Sequence, residues 1–276
     1  MTPKKPRLEA SPGACDTHMH IYESRFPILP DAIVPPEAPP AAYRALQQRL
    51  GVERAVIVQP NAYGKDNRCT LEAIAALGLA RTRGIAVIDR ATPDAEIEAL
   101  TNAGMRGIRF HLLPKGYLSW DLLDELSARV QSFGWHTQIQ LNGRELPERE
   151  AALRRVPGTI VIDHVGRFHD PVPVDHPAFQ ALLRLIDTVR CYVKLSAPYE
   201  SISRDGPPKW RDVGVIATAL AAHAPERMLW ASNWPHPGQK YIPDEADLLD
   251  LFGEWVPDAW SRQRILVDNP AQLYGF

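Results

Sequence analysis

Within the segment Asp16-Thr17-His18-Met19-His20, two histidines are separated by a single residue. Side chains of a β-strand alternate faces, so His18 and His20 point the same way if this segment is extended. An imidazole ionises near pH 6.5, which lets it take up or release a proton at neutral pH, polarise a carbonyl or bind a metal. A third imidazole stands in Asp163-His164-Val165-Gly166-Arg167, followed closely by a guanidinium. Arg109 and His111 share one face of Gly107-Ile108-Arg109-Phe110-His111, with Ile108 and Phe110 on the other. Asn233 lies in Trp230-Ala231-Ser232-Asn233-Trp234-Pro235-His236, and Lys115, Lys209 and Arg211 lie in segments that read as loops.

An inward-facing arginine needs an anion, and a guanidinium grips a carboxylate through two charge-assisted hydrogen bonds. Several fixed cations with few carboxylates therefore predict an anionic substrate. A polycarboxylate fits better than a phosphate, because no glycine nest or phosphate loop is present in the sequence. His18, His20 and His164 could begin a zinc site, which needs at least three donors. The remaining donors are poor: Arg109 would repel a dication, Gln138 and Gln140 are neutral, and Asn233 is a weak ligand beside a carboxylate. The expectation is a site without a resident metal, with zinc on the three imidazoles as the alternative.

These residues fall at the ends of short apolar segments that read as strands: Ala14 to His20, Ala55 to Gln59, Gly84 to Ile88, Gly107 to His111, His136 to Leu141, Thr159 to His164, Cys191 to Ser196 and Met228 to Asn233. Between them, stretches such as Ala41 to Leu50, Leu71 to Ala80, Trp120 to Phe133 and Val213 to His223 carry apolar residues at helical spacing. Eight alternating units in 276 residues predict an α/β fold, a single (β/α)8 TIM-like barrel, over residues 14–276 after an N-terminal extension of 1–13. An open doubly wound sheet would favour a GxGxxG turn after the first strand, where the histidine pair stands instead. The 26 prolines cluster in loops and make stiff connections rather than a domain linker. In such a barrel the active site lies at the C-terminal ends of the strands, where the polar residues above are found.

Composition narrows the function. With 31 Lys+Arg against 33 Asp+Glu and no dense basic tract, the chain has no electrostatic footprint for nucleic acid. Cys15, Cys69 and Cys191 are an odd number at distant spacings, which predicts buried thiols and a reducing, cytoplasmic setting. The first residues lack the apolar core of an export signal, and no window approaches a membrane span. Trp255, Trp260 and Phe276 read as cover for the barrel, with a homo-oligomer contact as the alternative.

The blocks Gly13-Ala14-Cys15-Asp16-Thr17-His18-Met19-His20, Gly107-Ile108-Arg109-Phe110, Ile162-Asp163-His164-Val165-Gly166-Arg167, Lys194-Leu195-Ser196, Trp230 to Pro237 and Val267-Asp268-Asn269-Pro270, in this order, resemble the lactone-acting group of the amidohydrolase superfamily. The resemblance spans nearly the whole chain and implies an enzyme that opens or rearranges a lactone without the divalent metal most of the superfamily uses. It further implies that His18, His20 and His164 polarise the lactone carbonyl or shuttle protons. Arg109, Arg167 and Arg211 would clamp substrate carboxylates, Lys115 would fall near a further basic position, and Ser196 would add a hydrogen bond. At Asn233 this sequence departs from the lactonases of the group, which carry an aspartate that activates water; an amide cannot take that proton. Lactone isomerases of the group carry asparagine there but lack the first histidine of the pair. The leading reading is therefore hydrolysis of a small anionic lactone, with His18, His20, His164 and Asn233 catalytic. The alternatives are isomerisation by an internal hydroxyl of a sugar-diacid lactone and a non-catalytic ligand-binding barrel.

Overall fold

A computed structural model describes residues 4–276. Eight parallel strands follow one another around a sheet in chain order: β1 (Cys15–Met19), β2 (Arg54–Val58), β3 (Thr82–Ala86), β4 (Met105–His111), β5 (His136–Gln140), β6 (Ile160–Ile162), β7 (Cys191–Leu195) and β8 (Met228–Trp230). The helices in the connections are α1 (Pro40–Leu50), α2 (Arg68–Leu77), α3 (Asp94–Asn102), α4 (Leu123–Gln131), α5 (Leu146–Arg155), α6 (Pro177–Ile186) and α7 (Arg211–His223). After β8 come α8 (Glu245–Trp255), α9 (Ala259–Gln263) and α10 (Asn269–Tyr274). This is the expected (β/α)8 barrel, with most strands ending one to three residues earlier than the apolar runs suggested.

Alternation along the strands sorts the side chains into two cores. Ile108, Phe110, Ile139, Ile162, Val193, Leu195 and Trp230 face outward into the layer that the helices cover. Cys15, Val56, Ile85, Val161, Tyr192 and Leu229 face inward, and Tyr274 of α10 joins them as an apolar floor. Cys15, Cys69 and Cys191 are buried and unpaired. Trp255 is buried, whereas Trp260 remains 58% exposed. Above the floor the inward positions turn polar, a change that the barrel tolerates only because those groups bond one another.

Two local features shape the mouth. On β1, Asp16 lies opposite Ala55 and Met19 opposite Ile57, so three steps on one strand match two on the other. Such a bulge changes which residues face inward and re-aims side chains at barrel rims. The second feature is closure between the first and last strands. The Asn233 amide donates to the His18 carbonyl at 2.8 Å and the His20 amide to the Trp234 carbonyl at 2.8 Å. The Asp16 carboxylate completes the seam by accepting from the Ser232 amide at 2.9 Å, the Ser232 hydroxyl, the Tyr43 hydroxyl at 3.0 Å and the His18 amide at 3.2 Å.

Removing this carboxylate leaves four buried donors without their acceptor. Asp16→Ala is expected to lower unfolding stability by about 3 kcal/mol in urea titration; a loss below about 0.5 kcal/mol would show that the seam does not depend on it.

Candidate active site

The deepest polar layer is built from inward residues of four strands and the residues that follow them. Asp163, just after β6, takes the inward position. Its Oδ1 lies 3.2 Å from His18 Nδ1 and its Oδ2 accepts from Gln138 Nε2 at 3.1 Å. Lys194 of β7 donates to the Thr17 carbonyl at 2.9 Å and to Gln138 Oε1 at 2.7 Å. Its Nζ also stands 3.5 Å from Asp163 Oδ1 and 3.3 Å from His18 Nδ1. All four of these side chains have no solvent exposure.

His164 should face outward by alternation, since Asp163 faces in. Its φ of 55°, followed by 56° at Val165 and 43° at Arg167, turns the chain sharply in the left-handed region and brings the imidazole back into the barrel. Asn233 is likewise left-handed, at φ 58°. Non-glycine residues held there are strained and cluster at functional sites. The His18 ring centre lies 4.9 Å from that of His20 and 4.7 Å from that of His164, so the three imidazoles form one cluster.

Burial and neighbouring cations keep these rings neutral. Desolvation pushes the His18 and His164 imidazoles well below the usual histidine range. Burial, reinforced by Arg109, brings His20 and His111 down to about 3. Lys194 is lowered by burial to about 8 and so remains charged at neutral pH. The tautomers follow from the partners. His20 Nδ1 meets the Val58 carbonyl at 2.8 Å and must donate to it, which leaves Nε2 as an acceptor. His18 Nδ1 donates to Asp163 in the same way, and its buried Nε2 has no partner. His164 Nδ1 lies 3.0 Å from the Ser196 hydroxyl.

Above the imidazoles opens a cavity of about 840 Å³ lined by His20, Arg109, Lys115, His164, Arg167 and Asn233, together with His111, Gln140 and Glu200. Arg109 is buried, held by the Gln59 carbonyl at 2.8 Å and Gln140 Oε1 at 2.9 Å, while its Nε has no partner. Arg167 pairs with Glu200 at 3.1 Å. Lys115 is exposed at the rim. Three of the expected site residues do not line the cavity. His18 is completely buried and touches it only through its neighbours. Ser196 lies against His164. Arg211, the first residue of α7, is exposed and does not line the cavity.

Sequence reasoning did not single out Lys194, Asp163, Glu200, Tyr199 or His236 as site residues. Lys194 had a readable signal, a lysine in the inward register of an apolar strand. Asp163 had one too, two residues beyond the inward Val161, whereas Tyr199, Glu200 and His236 depend on turns that no periodicity reveals. Among the described residues, the group with ligand-like spacing is His18, Asp163 and His164, whose donor atoms all lie within 4.8 Å of one another. His20 is not part of that group, so the three imidazoles of the alternative zinc set do not all share its spacing. This group does not fit a dication either. It offers one carboxylate, the Lys194 ammonium already stands beside that oxygen, and Arg109 adds further positive charge.

Fold and site together define a (β/α)8 barrel with an imidazole- and cation-lined cavity at the C-terminal mouth. The amidohydrolase family model matches residues 15–276, and the chain belongs to that family. It is 37% identical to a D-galactarolactone isomerase from Agrobacterium fabrum over 95% of this chain and 91% of that one. It is 34% identical to a 2-pyrone-4,6-dicarboxylate hydrolase from Comamonas testosteroni over 99% and 93%. An apo crystal structure from Agrobacterium tumefaciens superposes with a TM-score of 0.92 at 37% identity, covering 98% of each chain.

The neutral imidazoles set an acid limit. His20, His111 and His136, each lowered to about 3, stay unprotonated in the fold below pH 6.5, whereas the unfolded chain takes up those protons. The unfolded state then binds more protons, so stability falls as pH drops from about 6.5 towards 3, by up to about 1.4 kcal/mol per imidazole per pH unit. The urea midpoint is expected to fall steadily between pH 7 and 4, and a flat profile would refute the neutral cluster.

Proposed function

We propose that this enzyme hydrolyses the ring ester of a small carboxylated lactone without a divalent ion. The observation that carries the reading is the convergence of His20, His164, Arg109, Arg167 and Asn233 on one cavity. The relatives, named for acting on a lactone and on a pyrone dicarboxylate, support the same substrate class. Arg109, whose Nε lacks a partner, offers a fixed cationic donor to the carbonyl oxygen or to a substrate carboxylate. Lys115 at the rim and Arg167 add positive charge for an anionic substrate.

In the reaction, water attacks the carbonyl carbon, its proton passes to the acceptor Nε2 of His20, and the oxyanion forms against the donors of Arg109 and His164. The ring C–O bond then breaks, and the proton moves from His20 to the departing ring oxygen, giving a hydroxy acid. His18 and Ser196 act from behind, by fixing the imidazoles that line the cavity. Lys194 supplies the internal positive charge beside Asp163 that a metal would otherwise supply.

Asn233 favours a second reading. A neutral amide replaces the carboxylate that would deprotonate water, so the attacking group could equally be a hydroxyl of the substrate, which converts one lactone into another with no net uptake of water.

Turnover of D-galactarolactone and 2-pyrone-4,6-dicarboxylate in oxygen-18 water separates the two. Label in a ring-opened product is expected for hydrolysis; an unlabelled lactone of altered ring size would replace that reading with isomerisation. For the metal, turnover is expected to persist after exhaustive chelation, and calorimetry should show no tight Zn²⁺ binding. Loss of activity restored by Zn²⁺ or Mn²⁺ would overturn the metal-free reading.

A further inference from the structure

Behind Asn233 runs a line of buried and half-buried polar groups that the mechanism above does not use. Asn233 Nδ2 donates to the Tyr199 hydroxyl at 3.1 Å. That hydroxyl lies 2.6 Å from His236 Nδ1, and His236 Nε2 lies 3.2 Å from Glu245 Oε1. The second Glu245 oxygen pairs with Arg49, which also bonds Asp244 at 2.8 Å. His236 is 1% exposed and Asn233 3%. Asn233 Oδ1 has no partner at all, although Asn233 lines the cavity.

The hydrogen bonds along this line run in one direction from Asn233 to Glu245. Glu245 is an acceptor, so His236 Nε2 carries a proton, and with Asn233 Nδ2 donating to the Tyr199 hydroxyl, that hydroxyl turns its own proton to His236 Nδ1 as acceptor. With the Tyr199 proton on His236 Nδ1, flipping the Asn233 amide would place two acceptor oxygens face to face, an unmade polar contact that costs about 1–3 kcal/mol.

We propose that Tyr199, His236 and Glu245 are positioning residues that hold the Asn233 amide with its carbonyl oxygen towards the cavity, as an acceptor for the attacking O–H group. This rests on the lactone reading above for the identity of that group, whether water or a substrate hydroxyl. The amide does not remove the proton. It accepts the hydrogen bond of one O–H and so orients the oxygen lone pair towards the carbonyl carbon, while the proton that leaves goes to His20. For isomerisation, the same acceptor selects lactones that carry a free hydroxyl within reach of the carbonyl over those that lack it.

The test uses the intact protein labelled with nitrogen-15, in which the Asn233 side-chain amide signal is identified by its loss in Asn233→Asp. In Tyr199→Phe, and independently in His236→Gln, with folding checked by thermal melting, the Asn233 amide protons are expected to exchange with water about tenfold faster, as the loss of one buried bond implies. Unchanged exchange in both variants would overturn the proposal. The activity readout is a double-mutant cycle on whichever of the two lactones turns over. Tyr199→Phe is expected to lower kcat about tenfold with little change in KM when Asn233 is present, and to have less than about a twofold effect when Asn233 is alanine. Equal factors in both backgrounds would overturn the claim that Tyr199 acts through Asn233. If neither lactone turns over while the amide signal responds as expected, the substrate reading fails and the positioning stands.

Discussion

A lysine ammonium sealed from solvent inside a barrel is the constraint around which this site is organised. Lys194 must satisfy its three protons and its charge within hydrogen-bond reach, and the residues that do so are those of the polar layer. The Thr17 carbonyl and Gln138 Oε1 take two of its bonds, and Asp163 stands close enough to balance its charge. Asp163 in turn faces His18, which stacks behind His20 and His164. The cation therefore reaches the cavity through its neighbours and helps hold the imidazoles neutral. Charge inside the barrel is thus supplied by the chain.

The same economy of partners governs the rim. Polar groups that face the cavity are each tied on one side and free on the other, as Arg109 is tied to Gln59 and Gln140, His20 to Val58, and Asn233 to Tyr199. A side chain held in this way loses little entropy when a substrate arrives, and its free atom is already aimed. The left-handed turns at His164 and Asn233 belong to this arrangement. They place side chains where strand alternation would not, and the buried bonds around them offset the cost of the strained backbone.

Much of this was legible in the chain. Eight apolar segments separated by helical patterns define the barrel, because the period of burial is written in the order of residue types. The histidine pair and the Arg109/His111 pair could be assigned to the inner face for the same reason. Periodicity placed His18 on the inner face but did not give its depth there. The bulge on β1 and the packing of His20 and His164 in front of it leave His18 fully buried. That Arg211 does not line the cavity could not be judged from its sequence neighbours, since it depends on the path of the loop before α7.

Residue order by itself therefore determined the fold, the family blocks and the inward register of the strand residues, because these depend on local periodicity and on motif order. Only the tertiary structure decided which partners those residues meet. His18 and Lys194 come from β1 and β7 and Asp163 from the turn after β6, while Asn233, Tyr199, His236 and Glu245 come from the loops and helix around the rim. The protonation state of an imidazole and the facing of an amide are set by burial and by such partners, quantities that exist only once the barrel has closed.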